Sequence, residues 1–239
     1  MAHCPHCGDE VAGNPEICPS CGQKISVPEA VISLSQVQPG KYLRDGWELF
    51  KQYPGGFVGF ALLFMILQGI LGYLPRIGGL ISLAVSLPLS VGFFVVSAKL
   101  LQRRTPDLQD FFTGFQFFLP LLLLTIVSAL LIVLGLVLLV LPGIYLMVSY
   151  LFASMLVIDR RLDFWPAMEL SRRTVQTQWF GFFVFFLLLV LINLGGALAL
   201  GIGLLISLPV SSCAVAVAYA DLFGLQSDYS GSMPQPKQP

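Results

Sequence analysis

Charge is what this sequence has least of. Only 11% of its 239 residues are Asp, Glu, Lys or Arg, against roughly 25% in a soluble domain. From Phe111 to Ile158, and again from Thr174 to Ala220, no charged side chain occurs at all. Each run is about twice the roughly 20 residues that cross a 30 Å hydrocarbon layer as a helix, so each reads as two crossings. No ionisable residue stands in mid-span, Lys99 and Asp221 lying near span ends. That excludes proton relays, ion-coupled carriers and voltage sensors, which need such groups at depth. Histidine is nearly missing too, with His3 and His6 both close to the start. Intramembrane proteolysis, which needs a Ser-His pair, two aspartates or a metal in the membrane, is therefore excluded, and the chain is not expected to be an enzyme. A basic start followed by a short apolar core is also lacking, so no secretory signal is expected.

What is present is hydrocarbon: 56% hydrophobic residues, 19 Phe and a mean hydropathy of +0.83. The pattern predicts an all-α polytopic membrane protein with six transmembrane helices at about 57–74, 77–101, 117–140, 143–158, 180–199 and 202–222. Backbone groups left unpaired in lipid cost several kcal/mol each, so the spans must be helical. The six spans form three hairpins, the middle one predicted to turn at Leu141-Pro142-Gly143. An aromatic, partly polar segment precedes each hairpin: Tyr42 to Tyr53, Phe111 to Phe118, and Phe164 to Trp179. These predict amphipathic helices lying along the inner surface. Lys41, Arg44, Lys51, Lys99, Arg103, Arg104, Arg160, Arg161, Arg172, Arg173 and Lys237 fall on one side of the six spans, and Arg76 alone on the other. The positive-inside bias then puts both termini in the cytoplasm and the bundle in the cell's inner membrane.

Two small-residue stripes spaced by four, Gly78, Ser82, Ser86, Ser90 and Gly203, Ser207, Ser211, are candidate helix-packing seams. Ser86-Leu87-Pro88-Leu89-Ser90 also matches Ser207-Leu208-Pro209-Val210-Ser211, so an internal duplication and a chance match between apolar helices are both open. Gln68 and Asn193 are the polar exceptions within spans and are read as bridges between helices. In the loop from Asp159 to Arg173, Asp163 is expected to cap a helix whose first turn holds Pro166. Arg160, Arg161, Arg172 and Arg173 there are candidate contacts for anionic lipid, worth about 1 kcal/mol each; plain determination of topology explains them equally well.

The cysteines are divided four to one. Cys4, Cys7, Cys18 and Cys21 stand in two C-x2-C pairs separated by ten residues, while Cys213 sits alone in an apolar run and is read as a small core residue. Two tight turns that each aim two thiolates at one ion make the closed tetrahedral site of structural zinc, and disulfides are the competing reading. So short a segment buries too little surface to fold unaided, and the metal must supply folding free energy. Residues 1–25 are thus a zinc ribbon, 26–40 a linker, 41–223 the six-helix domain and 224–239 a disordered cytoplasmic tail. With its CPxCG knuckles, the segment from Cys4 to Gly22 resembles the small zinc ribbons that begin many bacterial proteins. Such ribbons serve nucleic-acid binding or protein contact. Lys24 alone faces Asp9, Glu10 and Glu16, so no nucleic acid is expected and a cytoplasmic protein partner is preferred.

Leu141-Pro142-Gly143-Ile144-Tyr145, with the segment from Ala167 to Arg173, resembles a family of uncharacterised bacterial six-helix membrane proteins. It is similar as well to the membrane domain of some glycerophosphodiester phosphodiesterases, over roughly residues 41–224. Their catalytic domain has no counterpart here, so the resemblance implies a fold and no activity. The expected function is a non-catalytic membrane scaffold or regulatory protein with the ribbon as a contact module. A transporter or lipid-handling protein is the alternative. A zinc-dependent membrane enzyme ranks third because four thiolates leave no open ligand position. A homo-oligomer is left open.

Overall fold

The computed structural model describes residues 2–3, 10–11, 36–73, 78–199 and 201–226. The chain separates into two units, Met1–Ser33 and Leu34–Pro239. In the first, β1 (Ala2–His3) pairs antiparallel with β2 (Glu10–Val11), Ala2 opposite Val11 and His3 opposite Glu10. All four predicted zinc ligands, and Arg76 of the predicted outer turn, lie outside the described residues.

The second unit is helical: α1 Pro39–Phe50, α2 Pro54–Gly72, α3 Gly78–Leu101, α4 Phe118–Leu138, α5 Val140–Ser149, α6 Ala153–Asp159, α7 Phe164–Gln176, α8 Trp179–Leu198 and α9 Leu204–Phe223, with a 3-10 segment, Leu108–Phe117, leading into α4. Among the described residues five stretches are long and apolar enough to cross a membrane: α2, the 3-10 segment with α4, α5 with α6, α8, and α9. Within α3 the apolar portion is shorter, Val85–Leu101. The outward faces carry Leu130, Leu134, Val137, Leu187, Leu191 and Leu198 exposed, a surface that only a bilayer solvates.

The arms of each hairpin differ in burial. The second arms α5–α6 and α9 are about half buried, whereas few residues of α4 and α8 are buried. The second arms meet at one end of the bundle. There Ser97 Oγ of α3 lies 3.4 Å from Cys213 Sγ of α9, the Tyr219 hydroxyl of α9 donates to Asp159 Oδ2 of α6 at 2.7 Å, and the Phe94 and Tyr219 rings stand edge to face at 5.2 Å. Cys213 is fully buried, as a small core residue should be.

The middle hairpin turns elsewhere than the sequence suggests. The reversal falls on Leu139, a single extended residue (φ −157°, ψ 129°), and Pro142 lies in the first turn of α5. A proline there lacks only an amide that no helical carbonyl would accept. Gly143 serves packing: a Cβ on it would come within 2.7 Å of the Leu136 backbone nitrogen, and one on Gly135 within 3.0 Å of the Gly143 nitrogen. The gap between α5 and α6 is filled from outside the span. The Ser171 hydroxyl of α7 donates to Ser149 O at 2.7 Å and accepts the Phe152 amide at 3.3 Å. Ser171→Ala leaves both backbone groups unpaired in a buried place, and a loss of about 1–3 kcal/mol is expected. Chemical denaturation in detergent checks it, with Ser171→Thr restoring most of the loss.

The segments predicted to lie on the inner surface are instead docked along helices. α1 runs antiparallel to the second half of α9: the Tyr42 hydroxyl meets Asp221 Oδ2 at 2.8 Å, and Gly46 abuts the Ala214 backbone. The 3-10 segment runs antiparallel to α3, with Gly92 against the Phe111 carbonyl and Gly114 against the Pro88 carbonyl. Its period of three suits the sequence, since Phe112, Phe115 and Phe118 come out on the exposed side while Phe111 and Gly114 turn inward. α7 docks on the α5–α6 junction through Ser171. Each polar segment therefore packs on the second arm of another hairpin, and α1 on α9 closes the ring. Phe60 of α2 joins the 3-10 segment to α3, its ring centre 4.2 Å from that of Phe111 and 4.9 Å from that of Phe93; such pairs are worth about 0.5–1.5 kcal/mol each beyond burial.

Candidate functional site

Two regions hold the polar chemistry. The first is the end of the bundle where the second arms meet. Asp110 anchors the start of the 3-10 segment, its Oδ1 2.5 Å from Lys99 Nζ and its Oδ2 accepting the Asp107 amide at 2.7 Å. Asp159 takes the Tyr219 hydroxyl and, at 3.1 Å, the Gln226 amide. Gln102 Nε2 holds the Gln226 carbonyl at 2.9 Å, so residues 224–226, predicted as the beginning of a disordered tail, are tied down. Gly224 enables this exit with φ 68°, a conformation strained for other residues. Burial, and next the adjoining Asp221 carboxylate, push the Tyr42 hydroxyl above its ordinary pKa, so it stays a donor.

The four loop arginines do not act together. Arg160 donates to Phe223 O at 2.6 Å and lies 5.8 Å from the Phe223 ring centre, which closes the C-terminus of α9. Arg161 is exposed and takes φ 51° in the turn into α7. Arg172 grips Glu169 with two bonds of 2.8 and 2.9 Å, and Arg173 reaches the same carboxylate at 2.7 Å. Hydrogen bonds from Arg172 and then Arg173 hold the Glu169 pKa down at about 2. Asp163 occupies the N-cap position of α7 as predicted, but its side chain makes no capping bond.

The second region is a pair of adjoining cavities in the apolar part of the bundle, both partly open at the helix surface. The larger, about 560 Å³, lies between α3, the α5–α6 junction, α8 and α9. The smaller, about 200 Å³, lies between α3, α4 and the same junction. Ser90, Val91 and Ser154 line both. Around them the predicted stripes separate into two kinds of residue. Ser82 meets Gln68 across α2 and α3. Gly203 packs on Gly196, and Ser207 donates to Asn193 Oδ1 at 3.1 Å. Asn193 Nδ2 in turn donates to Ser211 Oγ at 2.7 Å. Both amides thus bridge neighbouring helices. Ser90 and Ser211, however, also face the cavity. Ser154 and Ser212, which no stripe contains, line it too, and neither makes a hydrogen bond with another described residue. The only signal for them in the sequence is a lone hydroxyl within an apolar helix, which packing serines share.

No group of three or more His, Cys, Asp or Glu arranged to hold a metal occurs among the described residues. No family model, curated protein or solved structure matches the chain.

Proposed function

We propose that this chain is a non-catalytic membrane scaffold: a six-span bundle in the inner membrane that holds a zinc ribbon in the cytoplasm as a contact module for a protein partner. The reading rests on one observation. Five charged side chains at the inner ends of the described spans are engaged within the bundle, Lys99 with Asp110, Asp159 with Tyr219, Asp221 with Tyr42 and Arg160 with the end of α9, while Arg103 and Arg161 are exposed. Groups held this way fix helices together and are poorly placed to carry protons or ions. α3 supplies the sixth crossing, its 24 residues reaching about 36 Å. The cationic residues of α1, the α3 end and the loop before α7 support the cytoplasmic placement of both termini. The double CPxCG pattern of Cys4, Cys7, Cys18 and Cys21 supports zinc. Its acidic surroundings favour a protein partner over nucleic acid.

A photo-crosslinking residue at Glu16, in the full-length protein in its own membrane, should give a discrete protein adduct that vanishes in the Cys4→Ser/Cys7→Ser variant. An adduct indifferent to that change overturns the contact-module reading. Ion flux through proteoliposomes of the purified protein would remove the scaffold reading itself.

A further inference from the structure

We propose that the paired cavities are a binding site for an uncharged amphiphile with a single hydrocarbon chain and a hydroxyl-bearing head, a lipid alcohol. The combined space is suited to a small ligand, since pockets for such molecules run from about 300 to 1,000 Å³ and are mostly apolar with a few polar groups. The larger cavity alone measures about 560 Å³. No Asp, Glu, Lys, Arg or His lines either cavity, so a phosphate, carboxylate or ammonium brought inside would lose its hydration with nothing to replace it. Sugars and amino acids need more polar partners than these walls offer. A wholly apolar guest leaves unused the hydroxyls of Ser154 and Ser212, which make no hydrogen bond with another described residue.

The two cavities differ in the way a head and a chain require. Half of the residues around the smaller one carry hydroxyls, Ser90, Thr125, Ser128, Tyr150 and Ser154, while the larger, though Asn193, Ser211 and Ser212 also line it, has mostly apolar walls such as Phe94, Leu189 and Val215. The head belongs in the smaller space and the chain in the larger, with Ser154 at the passage between them. Nothing in this assignment depends on the zinc ribbon or on a protein partner.

The test uses a photoactivatable, clickable long-chain alcohol on the full-length protein in nanodiscs, with the matching fatty acid and a diacyl phosphatidylcholine probe alongside. The alcohol should label α3, α8 or α9 saturably, and the two charged probes should not compete with it. Ser90→Phe, which fills the passage, should abolish labelling at unchanged melting temperature. Ser154→Ala should raise half-saturation about fivefold, the effect of weakening one modest hydrogen bond, without lowering stability, because that hydroxyl makes no hydrogen bond with another described residue. Labelling that survives Ser90→Phe, or equal labelling by the charged probes, overturns the proposal. Destabilisation by Ser154→Ala overturns it as well, since that hydroxyl would then be structural. Should Ser90→Phe fail to fold, Leu194→Trp at the far edge of the larger cavity reads the same outcome.

Discussion

Gly92→Ala is expected to loosen the 3-10 segment from α3 and lower stability by about 3 kcal/mol, the upper part of the range for overpacking. A Cβ at position 92 would lie 2.0 Å from the Phe111 carbonyl oxygen and 2.7 and 2.9 Å from its carbonyl carbon and Cα. All three are backbone atoms, so no rotamer change relieves the clash and the whole segment must retreat. It is held near its start, by the Lys99–Asp110 ion pair and by Phe111 packed against Phe60 and Phe93. Retreat therefore weakens contacts among α2, α3 and the segment together. Gly114→Ala meets the Pro88 carbonyl at 2.2 Å along the same seam, and the two changes should be less than additive because they relax through one movement. Gly59→Ala and Gly69→Ala meet nothing within 4 Å and should be neutral or slightly stabilising. For a domain of this size 3 kcal/mol corresponds to roughly 6–12 °C in Tm. Thermal unfolding in detergent decides it, and a Gly92→Ala protein that melts with wild type would show that the seam is not tight.

The contrast between Gly92 and Gly59 also marks where the sequence stops being readable. Both are glycines in apolar helices, and nothing local distinguishes them. Hydropathy registers transfer into hydrocarbon, so it finds α2, α4, α8 and α9 within a few residues; their outer faces are solvated by lipid alone. It is blind to which stripe meets which partner. Tyr42 and Asp221 are 179 residues apart, and an amphipathic segment bearing Lys41 and Trp47 has the composition of a surface helix whether it rests on lipid or on α9. The same blindness explains Ser90. Its spacing joins it to Ser82, which is bonded to a neighbouring helix, yet it faces open space. Pro142-Gly143 shows the reverse error, a turn signature used to begin a helix and to bring two helices close, because one extended residue at Leu139 suffices to reverse the chain.

Stripping zinc is expected to unfold the ribbon and leave the bundle intact. Structural zinc supplies about 10–16 kcal/mol of folding free energy in such sites, and a segment below about 40 residues rarely folds without a metal or disulfides. Residues 1–33 form a unit separate from the helices, so loss of the metal should not propagate into the span packing. One zinc per chain is expected in protein purified under reducing conditions. Cys4→Ser, Cys7→Ser, Cys18→Ser and Cys21→Ser should each abolish it. Cys213→Ser should not, since that thiol is buried beside Ser97 in α3. A strong chelator should make Lys24 rapidly cleavable by trypsin while the melting temperature of the bundle stays fixed. Two disulfides that persist without metal, or a bundle that melts earlier once zinc is removed, would overturn the closed thiolate site in the first case and the independence of the two units in the second.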